Sequence, residues 1–242
     1  EACAKVSGRG ITLHSAETLL QLEPENEAAR RLLNSIQLAG GRLEGIESAT
    51  GENGARLADS QDPGMLALLG TAYLKRGDYA GAEVELNKAA KLAPESLPIR
   101  TQLALGKLSS GNAEEAVKDL KAIIAEQPDF VQANVMLVLA YLSDKHYDDA
   151  LAAARALLAA KPDDALANNV LGFVYESKSD KAEARNAYQQ ALAKDADFHP
   201  ARINLARLAV QDKDLAGARK HFQDVLARDE FNPNALLGLA AL

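Results

Sequence analysis

One spacing governs this chain: Ala82, Ala116, Ala150, Ala184 and Ala218 follow one another every 34 residues. Pro94, Pro128 and Pro162 keep the same step, and so do Leu69, Leu103, Leu137, Leu171 and Leu205. Each of those leucines precedes a small or slim residue: Gly70, Ala104, Val138, Gly172 and Ala206. Tyr73, Tyr141 and Tyr175 recur in register, with Lys107 and Ala209 in the other two copies. Independent columns that agree on one period require a repeated supersecondary unit, each copy burying its apolar face on the next.

Each column has a physical reason. Leu66, Leu69, Gly70 and Tyr73 are spaced i, i+3, i+4, i+7 and share one face of a first helix. Ala82, Leu86 and Ala89 share one face of a second helix. The small Gly70 and Ala82 let the two backbones approach, while Leu69, Tyr73 and Leu86 fill the space around the contact. Between the helices, Gly77 suits the left-handed residue that ends the first, and Asp78 is placed to cap the second. Asn112, Asp180 and Asp214 recur at the Asp78 position, with His146 as the exception. Pro94 stops the second helix because it has no N–H for the ladder. Glu95, Asp129, Asp163 and Asp197 then stand where a residue starting the next helix is expected.

Leu-Gly-x-x-Tyr, then Ala, a large residue, Ala and Pro, resembles the tetratricopeptide repeat. Here it reads Leu171-Gly172, Tyr175, Ala184, Tyr188 and Ala191, with Ala196 in place of the proline. The resemblance implies an all-α, right-handed α-solenoid of helix-turn-helix repeats. Five copies are expected over residues 63–232, at 63–96, 97–130, 131–164, 165–198 and 199–232. Residues 233–242 carry Leu239-Ala240 and read as the first helix of a truncated repeat. The aromatic often found at the head of the first helix is replaced by Leu66, Arg100, Asn134, Asn168 and Arg202. Upstream, residues 1–62 read as degenerate repeat-like helices followed by an irregular segment. That segment carries Gly45, Gly51 and Gly54, each costing about 1 kcal/mol relative to Ala inside a helix.

Composition excludes several functions. The formal charge is -7 and no Lys/Arg cluster stands out, so the footprint of a nucleic-acid binder is missing. Apolar stretches such as Leu151–Ala160 are too short to span a bilayer. Cys3 is the only cysteine, which rules out an internal disulfide. Gly106-Lys107 with Ser109-Ser110 faintly echoes a phosphate loop, but Thr101 and Leu108 stand where Gly and a hydroxyl residue are needed. His14, His146, His199 and His221 show no metal-ligand spacing. Glu114-Glu115 and Asp148-Asp149 lie in the first turns of second helices, where they complement the helix dipole. No nucleophile–base set is visible, so neither catalysis, cofactor nor metal is expected.

A stack of such hairpins places its first helices along an inner, concave face. The residues there that the core columns leave free are Thr71, Leu74, Thr101, Leu105, Leu108, Val135, Leu139, Leu142, Asn169, Phe173, Ile203 and Arg207. This apolar stripe is expected either to hold a protein or peptide partner or to pack between repeats. The Lys, Asn and Arg clamp found in tetratricopeptide repeats that grip acidic chaperone tails is absent. Leu236, Leu237, Leu239 and Leu242 lie on a last helix without a cover, so pairing with another copy of the chain, or with residues removed by truncation, is expected there. Leu69-Gly70-Thr71-Ala72-Tyr73-Leu74, Gly77-Asp78-Tyr79-Ala80 and Gln102-Leu103-Ala104-Leu105 are similar to the long tetratricopeptide lipoproteins of bacterial exosortase (PEP-CTERM) systems. So is the run Pro200–Leu208. That resemblance implies a cell-envelope or periplasmic scaffold of a Gram-negative bacterium, serving protein sorting, export or exopolysaccharide assembly through a lipid anchor outside this fragment. The alternative is a general adaptor binding an extended peptide or helix of a cytoplasmic partner.

Overall fold

The computed structural model describes residues 60–242 and, upstream of these, Leu22 alone. The helices expected before residue 60 lie outside the described residues. Those that are described fold into eleven α-helices. In order they are α1 (Pro63–Arg76), α2 (Tyr79–Leu92), α3 (Leu97–Ser109), α4 (Ala113–Glu126), α5 (Val131–Ser143) and α6 (Tyr147–Ala160). After these come α7 (Ala165–Ser177), α8 (Lys181–Lys194), α9 (His199–Gln211), α10 (Leu215–Leu226) and α11 (Pro233–Ala240). This is the all-α, repeat-built class that the period requires. The chain divides into two compact units, Glu1–Asp119 and Leu120–Leu242.

In the first unit, α1 begins where the Asp62 carboxylate accepts from the Gly64 and Met65 amides, with Pro63 at the first helical position. It ends at Gly77, whose φ of 80° is open to glycine at little cost. Asp78 then accepts from the Gly81 amide at 2.9 Å and starts α2. Leu66, Ala67, Ala82, Leu86, Ala89, Ala93 and Ile99 form the core, so the head of α3 is part of it. A Cβ added to Gly70 would sit 2.5 Å from the Leu86 Cγ and 3.2 Å from the Ala82 carbonyl oxygen. Glycine is therefore what lets α2 approach α1 so closely.

In the second unit each core cluster draws on neighbouring repeats. Val138, Ala150 and Ala154 meet Val170 and Val174. Ala165, Ala184, Tyr188 and Ala191 meet Ala201, Leu205 and Leu208, and Ala206, Phe222 and Val225 meet Ala235. Stability of a stack built this way rests on its interfaces as much as on its hairpins. The Tyr188 ring lies over Gly172, where a Cβ would come within 2.6 Å of it. Asp180 and Asp214 cap α8 and α10 as expected, and His146 makes no side-chain cap bond.

The acidic residues after the prolines do not cap the first helices. The caps fall one residue later, at Ser96, Phe130, Asp164 and Phe198, and of these only Asp164 uses its side chain. In the second unit the displaced carboxylates reach the next repeat. Asp129 pairs with Lys161 at 3.6 Å, Asp163 with Lys194 at 2.6 Å, and Asp197 with Arg228. An opposite edge carries Asp148 with Lys178 at 2.5 Å, and Asp212 with both Lys181 and Arg185.

Candidate partner-binding face

The first helices α1 and α3 of the first unit leave little apolar surface free. The Thr71 hydroxyl donates to the Ala67 carbonyl and the Thr101 hydroxyl to the Leu97 carbonyl, each at 2.8 Å. Thr101 is also fully buried, so it offers no surface to a partner. Leu74 packs against the core cluster, with one methyl 4.0 Å from where a Cβ on Gly106 would be. Leu105 and Leu108 are half-buried. Apart from Leu22, the large apolar side chains this unit exposes among its described residues, Tyr79, Val84 and Leu92, lie on α2 instead.

The second unit is arranged differently. Val135 and Leu142 pack on the cluster around Val138, and Ile203 packs on the one around Phe222. Leu139 and Phe173 stand free, 43% and 36% exposed, at the same register position of α5 and α7. Asn169 is half-buried and its Oδ1 accepts from the Asn204 amide at 2.9 Å, a polar rung between α7 and α9. Arg207 is exposed but held: its Nη2 donates to both Glu176 oxygens, at 3.0 and 2.9 Å. A cleft of about 580 Å³ lies beside it, lined by Ile203, Asn204, Phe222, Asn234 and Gly238 among others.

Two inner residues escaped the sequence reading although the period marks them. Leu74, Leu108 and Leu142 continue in the same column to Glu176 and Val210. Val210 is 39% exposed and extends the apolar surface. Glu176 anchors a network instead, taking the Tyr188 hydroxyl hydrogen bond at 2.7 Å as well as the Arg207 pair. Burial first, and then the Glu176 carboxylate, push the Tyr188 phenol far above its ordinary pKa. Tyr188 therefore stays neutral and donating at every physiological pH.

The remaining polar groups have structural work. Burial lowers the Lys107 pKa, but hydrogen bonds to Asp119 and Glu115 more than offset it and hold the ammonium charged. His221 is half-buried and its pKa is lowered, first by burial and then by Arg202. His199 and His221 each bury an Nδ1 without a partner. Among the described residues no three His, Cys, Asp or Glu converge as a metal site, and no helix is long and apolar enough to cross a membrane.

Family models described as tetratricopeptide repeat match residues 63–96, 107–172 and 171–235. No curated protein matches the sequence. Among solved structures, the chain is similar to a tetratricopeptide repeat protein from Parabacteroides merdae, with a TM-score of 0.68 and 15% identity over 94% of this chain and 91% of that one. It is also similar to a thermophilic TPR protein of Thermus thermophilus, with a TM-score of 0.61 and 21% identity over 73% of this chain and 96% of that one. MamA from Desulfovibrio magneticus gives a TM-score of 0.51 and 22% identity, covering 71% of this chain and 97% of that one. At these identities the structural likeness speaks for the fold. Repeats of this kind generally present extended concave surfaces to protein partners. The family matches agree with the repeat columns and the helical hairpins: the chain belongs to the tetratricopeptide repeat proteins.

Proposed function

We propose that the chain is a non-catalytic scaffold that holds a protein partner on the first helices of its second unit. The observation that carries this reading is the free standing of Leu139 and Phe173. Both are bulky apolar side chains left in water at one register position of adjacent repeats, on helices whose other apolar residues are packed away. Exposed apolar surface arranged in this way is used in burial against another molecule. On the resemblance of Pro200–Leu208 and the Leu69–Leu74 run to the exosortase-system lipoproteins, we place the scaffold in a bacterial cell envelope. There it would serve protein sorting, export or exopolysaccharide assembly, held at the membrane by a lipid anchor. The same proposal assigns self-association to α11, where Leu236 and Leu237 are 45% and 70% exposed.

Site-specific photo-crosslinking tests these assignments in one experiment. A benzophenone side chain is placed at Phe173, at Leu237 or at the exposed Ala152 on α6, and the protein is irradiated with envelope and cytosolic fractions of its source cell. A defined adduct from Phe173 but not Ala152 is the expected result. Adducts confined to the envelope fraction support the sorting scaffold, and adducts confined to the cytosol favour the general adaptor. Leu237 is expected to yield a dimer of the chain itself. Equal labelling from Phe173 and Ala152 would remove the inner face as the working surface.

A further inference from the structure

Charge is distributed unevenly between the two helix layers of the second unit. The first helices α5, α7, α9 and α11 contain three charged residues, Glu176, Arg202 and Arg207. The second helices α6, α8 and α10, the end of α4 and the loops carry the rest. All three inner charges are answered within the chain. Arg207 is held by Glu176, which also accepts from Tyr188 and, at 3.4 Å, from Gln211. Arg202 pairs with Asp224 at 3.3 Å and donates to the Ala196 carbonyl at 2.7 Å. What remains for a partner is Leu139, Phe173 and Val210, the Asn169–Asn204 amide rung and the cleft over Phe222.

We infer that this face takes an uncharged, apolar segment of a protein partner, selected against charge. The inference rests on the inner-face reading of the proposed function and specifies its ligand. A carboxylate or ammonium laid on this surface gives up hydration and finds no free counter-charge, which is a cost without a return. The self-neutralised Arg207–Glu176 pair acts in the same direction, because a charged partner must break it before using either group. An apolar side chain instead covers Leu139 or Phe173 and loses nothing. Those two residues sit on adjacent packed helices, whose axes lie about 8–10 Å apart. The partner must therefore offer two bulky apolar side chains at that separation. Residues i and i+3 of a polyproline II segment, with three residues per turn, meet the requirement at about 3.1 Å per residue, and residues i and i+7 of a helix meet it at about 1.5 Å per residue.

The test selects binders for the whole chain from a random peptide library displayed on phage. Their affinities are then measured as free, end-capped peptides at about 0.05 M and about 0.5 M salt, a range that strongly changes screening. Expected binders carry two bulky apolar residues at i, i+3 or i, i+7, with no charge between them. Their affinity is expected to change less than about threefold with salt. Leu139→Ser and Phe173→Ser are each expected to weaken them at least about tenfold, as loss of a central anchor does. Both side chains are exposed, and unchanged helical circular dichroism and melting confirm that the variants are folded. Acidic or basic binders that lose affinity in both variants and fall tenfold in high salt would overturn the neutral-segment inference while leaving the inner face in place. A library that gives no binder, or binders indifferent to both variants, would overturn the inner-face reading and this inference with it.

Discussion

The turn between the two helices of a repeat is closed by glycine in the first unit and by a side chain in the second. Gly77 and Gly111 hold φ of 80° and 89°, while Lys145, Ser179 and Lys213, at the same register, hold 60°, 65° and 63°. The backbone task is identical, yet one unit performs it with the residue suited to left-handed space and the other accepts strain three times. The units differ in surface as well. Between Pro63 and Asp119 the first exposes Tyr79, Val84 and Leu92 on a second helix, whereas the second exposes Leu139, Phe173, Val210, Leu236 and Leu237 on first helices and Leu215 alone on a second helix. Ion pairs follow the same division. Those described in the first unit, Lys88 with Glu85 and Lys107 with Glu115 and Asp119, each stay within one repeat. Most of those in the second unit bind one repeat to the next, with Arg202–Asp224 the lysine or arginine pair that stays within one. The first unit has its ease in the hairpin; the second places its cost in the turns and its reinforcement between repeats.

Packing under the glycines gives the largest expected effect. A Cβ on Gly172 meets two atoms of the Tyr188 ring at 2.6 Å, and that ring is fully buried and anchored through Glu176. Overpacking of this kind costs about 1–3 kcal/mol, against about 1 kcal/mol gained by Ala over Gly in a helix. Gly172→Ala is therefore expected to lose up to about 2 kcal/mol net, read from the urea midpoint of its transition. Gly70→Ala faces Leu86, which has other rotamers, and is expected to lose less. Gly238→Ala contacts the Phe222 ring from the eight-residue helix α11, whose one buried residue is Ala235, and is expected to lose least. Equal losses at all three sites would mean that ring rigidity does not separate the units.

The turns come next. A left-handed backbone costs a side-chain-bearing residue about 1–2 kcal/mol, and glycine returns about 0.5–1 kcal/mol of that through its unfolded-state entropy. Lys145→Gly, Ser179→Gly and Lys213→Gly are each expected to stabilise by about 0.5–1 kcal/mol. Gly77→Ala and Gly111→Ala are expected to destabilise by a similar amount, since neither site meets a steric contact within 4 Å. Thermal melts of the five variants measure this directly. A stabilising Gly77→Ala would break the comparison, because it would show that the first unit has no special need of glycine.

The 34-residue period made the fold class and the register of the small residues legible, because burial acts on every copy alike. Gly70, Gly172, Ala82 and Ala184 could be read as close-approach positions from one column each. What the period could not show depends on single neighbours. The left-handed turn at Lys145 carries no residue that announces it. The carboxylates after the prolines read as caps, yet the chain needs one more residue before α5, α7 or α9 begins. Asp129, Asp163 and Asp197 are thereby freed to reach the following repeat. On the inner face, the sequence could not say that Thr71 and Thr101 would turn their hydroxyls back onto their own helices. Nor could it say that Glu176 would neutralise Arg207. The exposure of Leu139 and Phe173 emerges only once their neighbours in the stripe are packed.

The smallest expected effect concerns protonation, and it tests the ion-pair contrast. Hydrogen bonds from Lys178, Lys194 and Lys181 hold the carboxyls of Asp148, Asp163 and Asp212 below the usual aspartate range. A depressed folded-state pKa contributes stability that is present above the unfolded value, near 3.9, and is lost as pH falls through the folded value. The second unit should therefore lose inter-repeat support in acid, below about pH 4. Lys107 has the opposite sign. Its raised pKa contributes stability that is complete below about 10.4 and lost as pH rises through the folded value. The three aspartates are exposed, so about 1 M salt, with a screening length of about 3 Å, should carry their midpoints back toward the ordinary range. The Lys107 side chain is only 15% exposed and should move less. NMR titration of the aspartate carboxyl and lysine ε carbons at low and high salt reads both shifts. If salt moves Lys107 as far as Asp163, shielding does not distinguish the pairs within a repeat from those between repeats. If Asp163 stays depressed in 1 M salt, the inter-repeat ladder is a stronger device than its exposure implies.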